Sequence, residues 1–375
     1  MSFTQSIWDI PLQPWEGNCN RVPLSGSPIA YNLMKKGVRL FLWLVFASVL
    51  FGSLSIGRYA IGLVEVFRLL SAHLGLEKYI APPSPEIQLV FWNIRFPRIL
   101  MNLAVGSGIS IAGVVFQALF RNPLAAPDIL GVTAGSCFGA ALSIMFFTQF
   151  VLGVQGFAFV FGIFAVSIAY TLANRSWDKS TAVLVISGIV ISAIFQAGVS
   201  ILMYLADPYD QLASIVFWIM GSFRVSSWAK VQTTLPVVVV GSLLISIFGW
   251  RLNIMTQNEE EALSLGINVF KWRLFYIGIS TLMVASSVAA VGTISWVGLI
   301  VPHITRYLVG TEHKKLLPAA AILGGGFLLV MDTIARTISA SEIPISIVTS
   351  ILGAPFLGYL VIHRKGSRIA YERAS

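Results

Sequence analysis

Residues 91–135 read FWNIRFPRILMNLAVGSGISIAGVVFQALFRNPLAAPDILGVTAG. The stretch opens with Arg95, Pro97 and Arg98 and then carries no charged residue over positions 99–120. Crossing a bilayer's hydrocarbon core takes about 20 apolar residues of helix, so this run is long enough to span. Within it Ala104, Gly108 and Ala112 recur every fourth residue. They mark one helix face with small side chains, where a second helix can approach closely. Arg121, Asn122 and Pro123 then stop the helix: Pro123 has no backbone N–H and biases Asn122 away from helical geometry. After Pro127, Asp128 is placed to N-cap the next apolar run. One stretch therefore predicts an arginine-marked entrance, a span, a tight turn and the start of a second span.

Composition agrees with that reading. The 375 residues are 56% hydrophobic and only 11% charged, against about 25% charged in soluble domains. The chain reads as an all-α integral membrane protein. Cys19 and Cys137 lie far apart, one in a polar tail and one in an apolar run, which gives neither a disulfide framework nor a metal cluster. The net charge of +9 comes from basic residues scattered at the ends of apolar runs. That pattern sets topology and presents no face for nucleic acid.

Residues 1–36 are polar, hold Pro11, Pro14, Pro23 and Pro28, and lack the basic-then-apolar order of a signal peptide. They read as a cytoplasmic tail, with a membrane-surface contact through Trp8 and Trp15 as the alternative. The remainder, 37–375, contains apolar runs at 37–57, 96–119, 129–148, 151–173, 183–206, 233–250, 273–292, 296–309, 316–338 and 345–363. The eighth is short and interrupted by Pro302. Between the first two, VEVFRLLSAHLGL is expected to form a helix lying at the membrane surface. With both termini in the cytoplasm, only Arg58, Arg68, Lys78, Arg95, Arg98, Arg224, Lys230 and Arg336 of the 25 basic residues fall outside. This satisfies the positive-inside rule and makes the outer arginines conspicuous.

Catalytic chemistry is not legible. The chain holds no G-x-x-x-x-G-K-[ST] phosphate loop, so ATP binding of that kind would have to sit on another polypeptide. His73, His303, His313 and His363 lack ligand spacing, and no Ser–His–Asp set assembles. Charge inside the spans is confined to Asp332 and Arg336 in LLVMDTIART, four apart and able to pair on one helix face. Such a pair is either a structural salt bridge or part of a docking surface. A self-sufficient secondary transporter should place a carboxylate near the bilayer midplane, and Asp332 lies too close to the outer end. That rival, like a membrane enzyme, is disfavoured.

The loop 251–273 contains QNEEEALSLGINVFKWR. Glu259, Glu260 and Glu261 suit the positive end of a helix dipole, and Gly266 can end that helix. Taken alone, the segment is either a solvated connector or a docking helix.

Further wording is shared across most of 38–364: RFPR, FRNPLAAPDILGVTAG, FWIMGSF at 217–223, SLGINV, VGLIVPHITRYLVGTEHKKLLPAAA, MDTIART and IPISIVTSILGAPFLGYLV. This resembles the permease subunits of ABC importers that carry iron–siderophore, haem and corrinoid complexes. The resemblance implies the type II importer permease fold, about ten transmembrane helices and a homodimer in the cell membrane. It implies two ATPase subunits, which would hold the ATP and Mg, and an extracytoplasmic substrate-binding protein. By the same resemblance Arg95, Arg98 and Arg336 dock that protein, while Asn122, Leu124 and Thr181 form the cytoplasmic gate. Glu259, Glu260, Ala262, Leu265 and Gly266 couple to the ATPase. In such a homodimer a path along the two-fold axis would be lined by uncharged Ser187, Ser192, Gln196 and Ser200. Its cargo would be a metal chelate, with a small oxyanion such as molybdate as the alternative.

Overall fold

A computed structural model describes residues 43–74, 81, 83–147, 153–177, 180–256, 262, 264–339 and 341–372. The chain divides into Met1–Leu44 and Val45–Ser375. Of the first unit, Trp43 and Leu44 are described, and the expected tail 1–36 lies outside the described residues.

The described residues form thirteen helices and no strand. In chain order they are α1 (Trp43–Ser55), α2 (Leu63–His73), α3 (Pro85–Leu119), α4 (Val132–Phe146), α5 (Gly153–Arg175), α6 (Thr181–Leu205) and α7 (Gln211–Met220). There follow α8 (Trp228–Ile247), α9 (Gly249–Met255), α10 (Val269–Val291), α11 (Val297–Val309), α12 (His313–Ile338) and α13 (Ile345–Glu372). Six are long and apolar enough to cross a membrane: α3, α5, α6, α8, α10 and α12. Shorter apolar helices supply the other expected spans, so the ten runs each fall on a helix and the chain is a multi-pass membrane protein. A helix forms where the surface segment was expected, at α2. Two short helices, α7 and α9, were not anticipated, because runs of ten and seven residues are too short to register as spans.

Helix α3 starts at Pro85, well before the expected position 96, and passes through a π turn at Phe91–Arg95. It and α10 form the centre: 83% and 72% of their most apolar windows are buried, against 28–44% in the other four long helices. Glycines set the spacing. A Cβ on Gly106 would overlap the Gly324 carbonyl of α12, and one on Gly113 would overlap the Gly298 carbonyl of α11. The expected small face also packs, Gly108 meeting Val238 of α8 and Ser287 of α10. Pro302 does not interrupt α11. It removes the donor that would bond the Gly298 carbonyl, and that carbonyl lies against Gly113.

The turn after α3 corrects one expectation. Asp128 does not cap α4: the N-cap is Gly131, at φ +85°, and no side chain caps the helix. The Asp128 carbonyl instead accepts from Gly131 N at 2.8 Å. Glycine occupies this left-handed position without the steric cost of a Cβ, so residues 128–131 turn into α4 through a backbone bond.

Candidate functional site

Helix α1 ends in Ser53, Leu54 and Ser55, whose carbonyls have no partner further along the helix. Two arginines from distant elements supply donors. Arg95, in the π turn of α3, donates from Nη1 to Leu54 O (2.6 Å) and Ser55 O (3.0 Å), and from Nη2 to Tyr59 O (2.5 Å). Arg336, near the end of α12, donates from Nη2 to Ser53 O (2.6 Å), Ser53 Oγ (2.9 Å) and Thr333 Oγ1 (3.3 Å). Positive charge at a helix C-terminus also complements its dipole.

Between them Arg98 holds two carboxylates. Its Nε and Nη2 donate to Asp332 Oδ2 and Oδ1 at 2.9 and 2.8 Å. Its Nη1 and Nη2 reach Glu342 Oε1 and Oε2 at 3.3 and 3.1 Å. Asn102 Nδ2 adds a bond to Asp332 Oδ2 at 3.1 Å. The expected Asp332–Arg336 ion pair is therefore corrected. The planar Arg98 fork matches a carboxylate face-on and takes Asp332, while Arg336 is spent on α1. Arg95, Arg98 and Arg336 are 5%, 7% and 6% exposed, and in this conformation each is held by acceptors from within, although Arg336 Nε is buried without a partner. Sequence reasoning missed Ser53, Asn102 and Glu342. Glu342 left one signal, a lone carboxylate between the last two spans.

At the other end of α3, Asn122 is exposed but its Oδ1 accepts from Leu124 N at 2.9 Å, which locks the turn. Leu124 projects with 52% exposure. Thr181, the first residue of α6, shares a cleft of about 60 Å³ with Leu119, Arg121, Met255, Val269 and Arg273. The fold thus brings Thr181 beside the FRNPL turn, while Asn122 and Leu124 do not line that cleft.

On α6 the four proposed lining residues divide. Ser187 is buried, and Ser192 Oγ lies close to Gly131. Burial takes Ser187 off an open path in this conformation, while Ser192 is half-buried beside Gly131 at the approach to α4. Gln196 and Ser200, four apart, are exposed beside Ile186, Ile189, Ile194 and Ile201. Ser200 Oγ donates to Gln196 O at 3.0 Å.

In the loop before α10, Glu259 and Glu260 lie outside the described residues. Ala262 is buried, Leu265 is 65% exposed and Gly266 adopts φ +74°. Ile267 N donates to Ala262 O at 3.0 Å, the six-to-one bond that ends a helix at a left-handed glycine. Asn268 Oδ1 then accepts from Lys271 N at 3.0 Å and starts α10. Gly266 therefore ends a helical turn, as its position in the sequence suggested.

This geometry has known counterparts. The sequence profile of the FecCD transport family matches residues 43–363. The molybdate import system permease protein MolB of Haemophilus influenzae is 40% identical over 327 residues, 87% of this chain and 95% of that one. The cobalamin import system permease protein BtuC of Halobacterium salinarum is 37% identical, over 76% of this chain and 78% of that one. Among solved structures, a metal-chelate type ABC transporter in an inward-facing conformation superposes with a TM-score of 0.76 at 37% identity, covering 88% of this chain and 99% of the other. An all-helical membrane chain with this central glycine-packed helix, matched along nearly its whole length, belongs to the FecCD transport family and is an ABC importer permease.

Proposed function

We propose that this permease works as a homodimer with two ATPase subunits and an extracytoplasmic substrate-binding protein, importing a metal chelate such as an iron–siderophore, haem or corrinoid. The observation that carries the reading is how its charge is disposed. Away from helix ends, Asp332 is the one carboxylate within a spanning helix among the described residues, and it is consumed by Arg98 and Asn102. The exposed face of α6 is apolar and hydroxyl-dotted. Such a chain offers no titratable relay for a coupling ion and no charged cargo site. Energy then comes from ATP on the partner subunits and specificity from the binding protein. A molybdate-type oxyanion is the second reading, favoured by the identity to MolB.

In this arrangement both termini face the cytoplasm and the arginine cluster faces outward, where Arg95, Arg98 and Arg336 guide docking. Because the Arg98 fork is already engaged, docking through it requires an incoming carboxylate to replace an internal acceptor. Exposed Arg58 and Arg224 supply long-range attraction. At the inner end Asn122, Leu124 and Thr181 gate the path, and the helix carrying Glu259, Glu260, Ala262, Leu265 and Gly266 seats the ATPase. Lipid contacts the remaining apolar surface.

Uptake in proteoliposomes containing permease, ATPase and binding protein tests this. Labelled chelate should accumulate only with ATP, and the Glu259→Lys/Glu260→Lys variant should lose both ATPase co-purification and uptake. Accumulation driven by a proton gradient without ATPase would overturn the reading. Competition by excess molybdate would select the oxyanion.

A further inference from the structure

Arg98 holds its two carboxylates unequally. Asp332 is 2% exposed, rigid within α12 and bonded at 2.8 and 2.9 Å. Glu342 sits in the turn before α13, its side chain 14% exposed, bonded at 3.1 and 3.3 Å. Its backbone is at φ +52°, one of three non-glycine residues with positive φ among the described residues. A side chain in that region is strained and persists only when its surroundings enforce it. The enforcing contacts are local: Glu342 N to Ser339 O at 3.4 Å, Ile343 N to Ala335 O at 3.0 Å, and the ion pair itself. Two residues on, Ile345 opens α13, and its N–H bonds Gly221 O at the end of α7 at 3.1 Å. The turn therefore joins the arginine cluster to α7 and α13.

The geometry points to Glu342 as an internal stand-in for a carboxylate of a docking protein, exchanged for that protein's own acidic side chain when it binds. The inference rests on the docking reading above and names the residue that competes for the site. Asp332 keeps the charged Arg98 guanidinium aimed, and Glu342 occupies the less buried side of the fork. An incoming aspartate or glutamate can take the Nη1 and Nη2 bonds in place of Glu342, conserving charge. The released turn at 341–344 then relaxes its strained backbone, and the start of α13 is freed. No other residue of the cluster fits this role. Arg95 and Arg336 bond backbone and hydroxyl oxygens of α1, Tyr59 and Thr333, and Asp332 is enclosed.

Two measurements on the full chain in proteoliposomes separate this proposal from the docking reading. Exposed Ser341 is replaced by cysteine (S341C) with Cys19→Ser in the background, and labelling by a membrane-impermeant maleimide is timed. Glu342→Gln should speed labelling by about fivefold or more, as should binding of the substrate-binding protein that stimulates this transporter. Glu342→Gln should also tighten binding of that protein by about tenfold, the scale of one charge-assisted hydrogen bond removed from the competitor. Glu342→Gly, which also relieves the strain, should match it. Equal labelling rates in the variant and the parent, or weaker binding by both variants, would overturn the exchange. If the binding protein fails to bind the parent at all, the docking reading falls, and the labelling rate alone still judges whether Glu342 restrains the turn.

Discussion

Replacing Asp332 by asparagine removes one charge from the cluster while keeping the side chain's size and one acceptor oxygen. In the native protein Oδ1 accepts one N–H, from Arg98, and Oδ2 accepts two, from Arg98 and Asn102. An asparagine with its nitrogen at the Oδ1 position loses one of these bonds and turns a donor toward a donor. With the nitrogen at the Oδ2 position it loses two. One lost bond to a charged group costs about 1.5–3 kcal/mol, and stranding a buried charge costs about 3–5 kcal/mol. Arg98 retains Glu342, so the expected loss lies between these, about 2–4 kcal/mol. Glu342→Gln, at a partly exposed and longer pair, should cost about 1 kcal/mol or less. Equilibrium unfolding of the purified protein in mixed detergent micelles, followed by tryptophan fluorescence, reads both. A double-mutant cycle with Arg98→Gln should return a coupling of about 2 kcal/mol for Arg98–Asp332. An Asp332→Asn variant as stable as the parent, or less destabilised than Glu342→Gln, would refute the assignment of Asp332 as the fixed partner.

Gly106→Ala would drive a methyl into the Gly324 carbonyl and the Gly325 backbone and should cost about 1–3 kcal/mol or more. Gly278→Ala on α10 meets nothing within 4 Å and should be neutral or stabilising by about 0.5–1 kcal/mol; thermal melting of the pair compares close packing with open space. Leu124→Cys should cross-link between protomers and block uptake if the exposed FRNPL turn lies at the dimer axis, and failure in every nucleotide state would place it elsewhere. Gly131→Ala should destabilise the start of α4 by about 1 kcal/mol, because the position is left-handed at φ +85°, and proteolysis at the turn would report it.

Much of this protein is written locally. The spans are legible because crossing a bilayer is a requirement on one helix at a time, met by a run of about 20 apolar residues. The FRNPL turn and the end at Gly266 are equally local, since proline, asparagine and a left-handed glycine act within a few residues. The central position of α3 could be anticipated only in part. Its small residues announced close packing, but Gly106 and Gly113, which touch backbone, lie off the expected Ala104–Gly108–Ala112 stripe. Likewise α6 looked uniform in sequence, and only its packing in the fold separates buried Ser187 from exposed Gln196. The arginines show the division most sharply. Their presence at the entrance was plain, and their pairing was not. Asp332 lies 234 residues from Arg98 and Glu342 lies 244, and the near neighbour Arg336 seemed the natural partner for Asp332. The choice was made by geometry in three dimensions. Buried donors take whichever acceptors the packed helices place in line with them, and α1 offered Arg336 open carbonyls while α12 turned Asp332 toward the fork of Arg98.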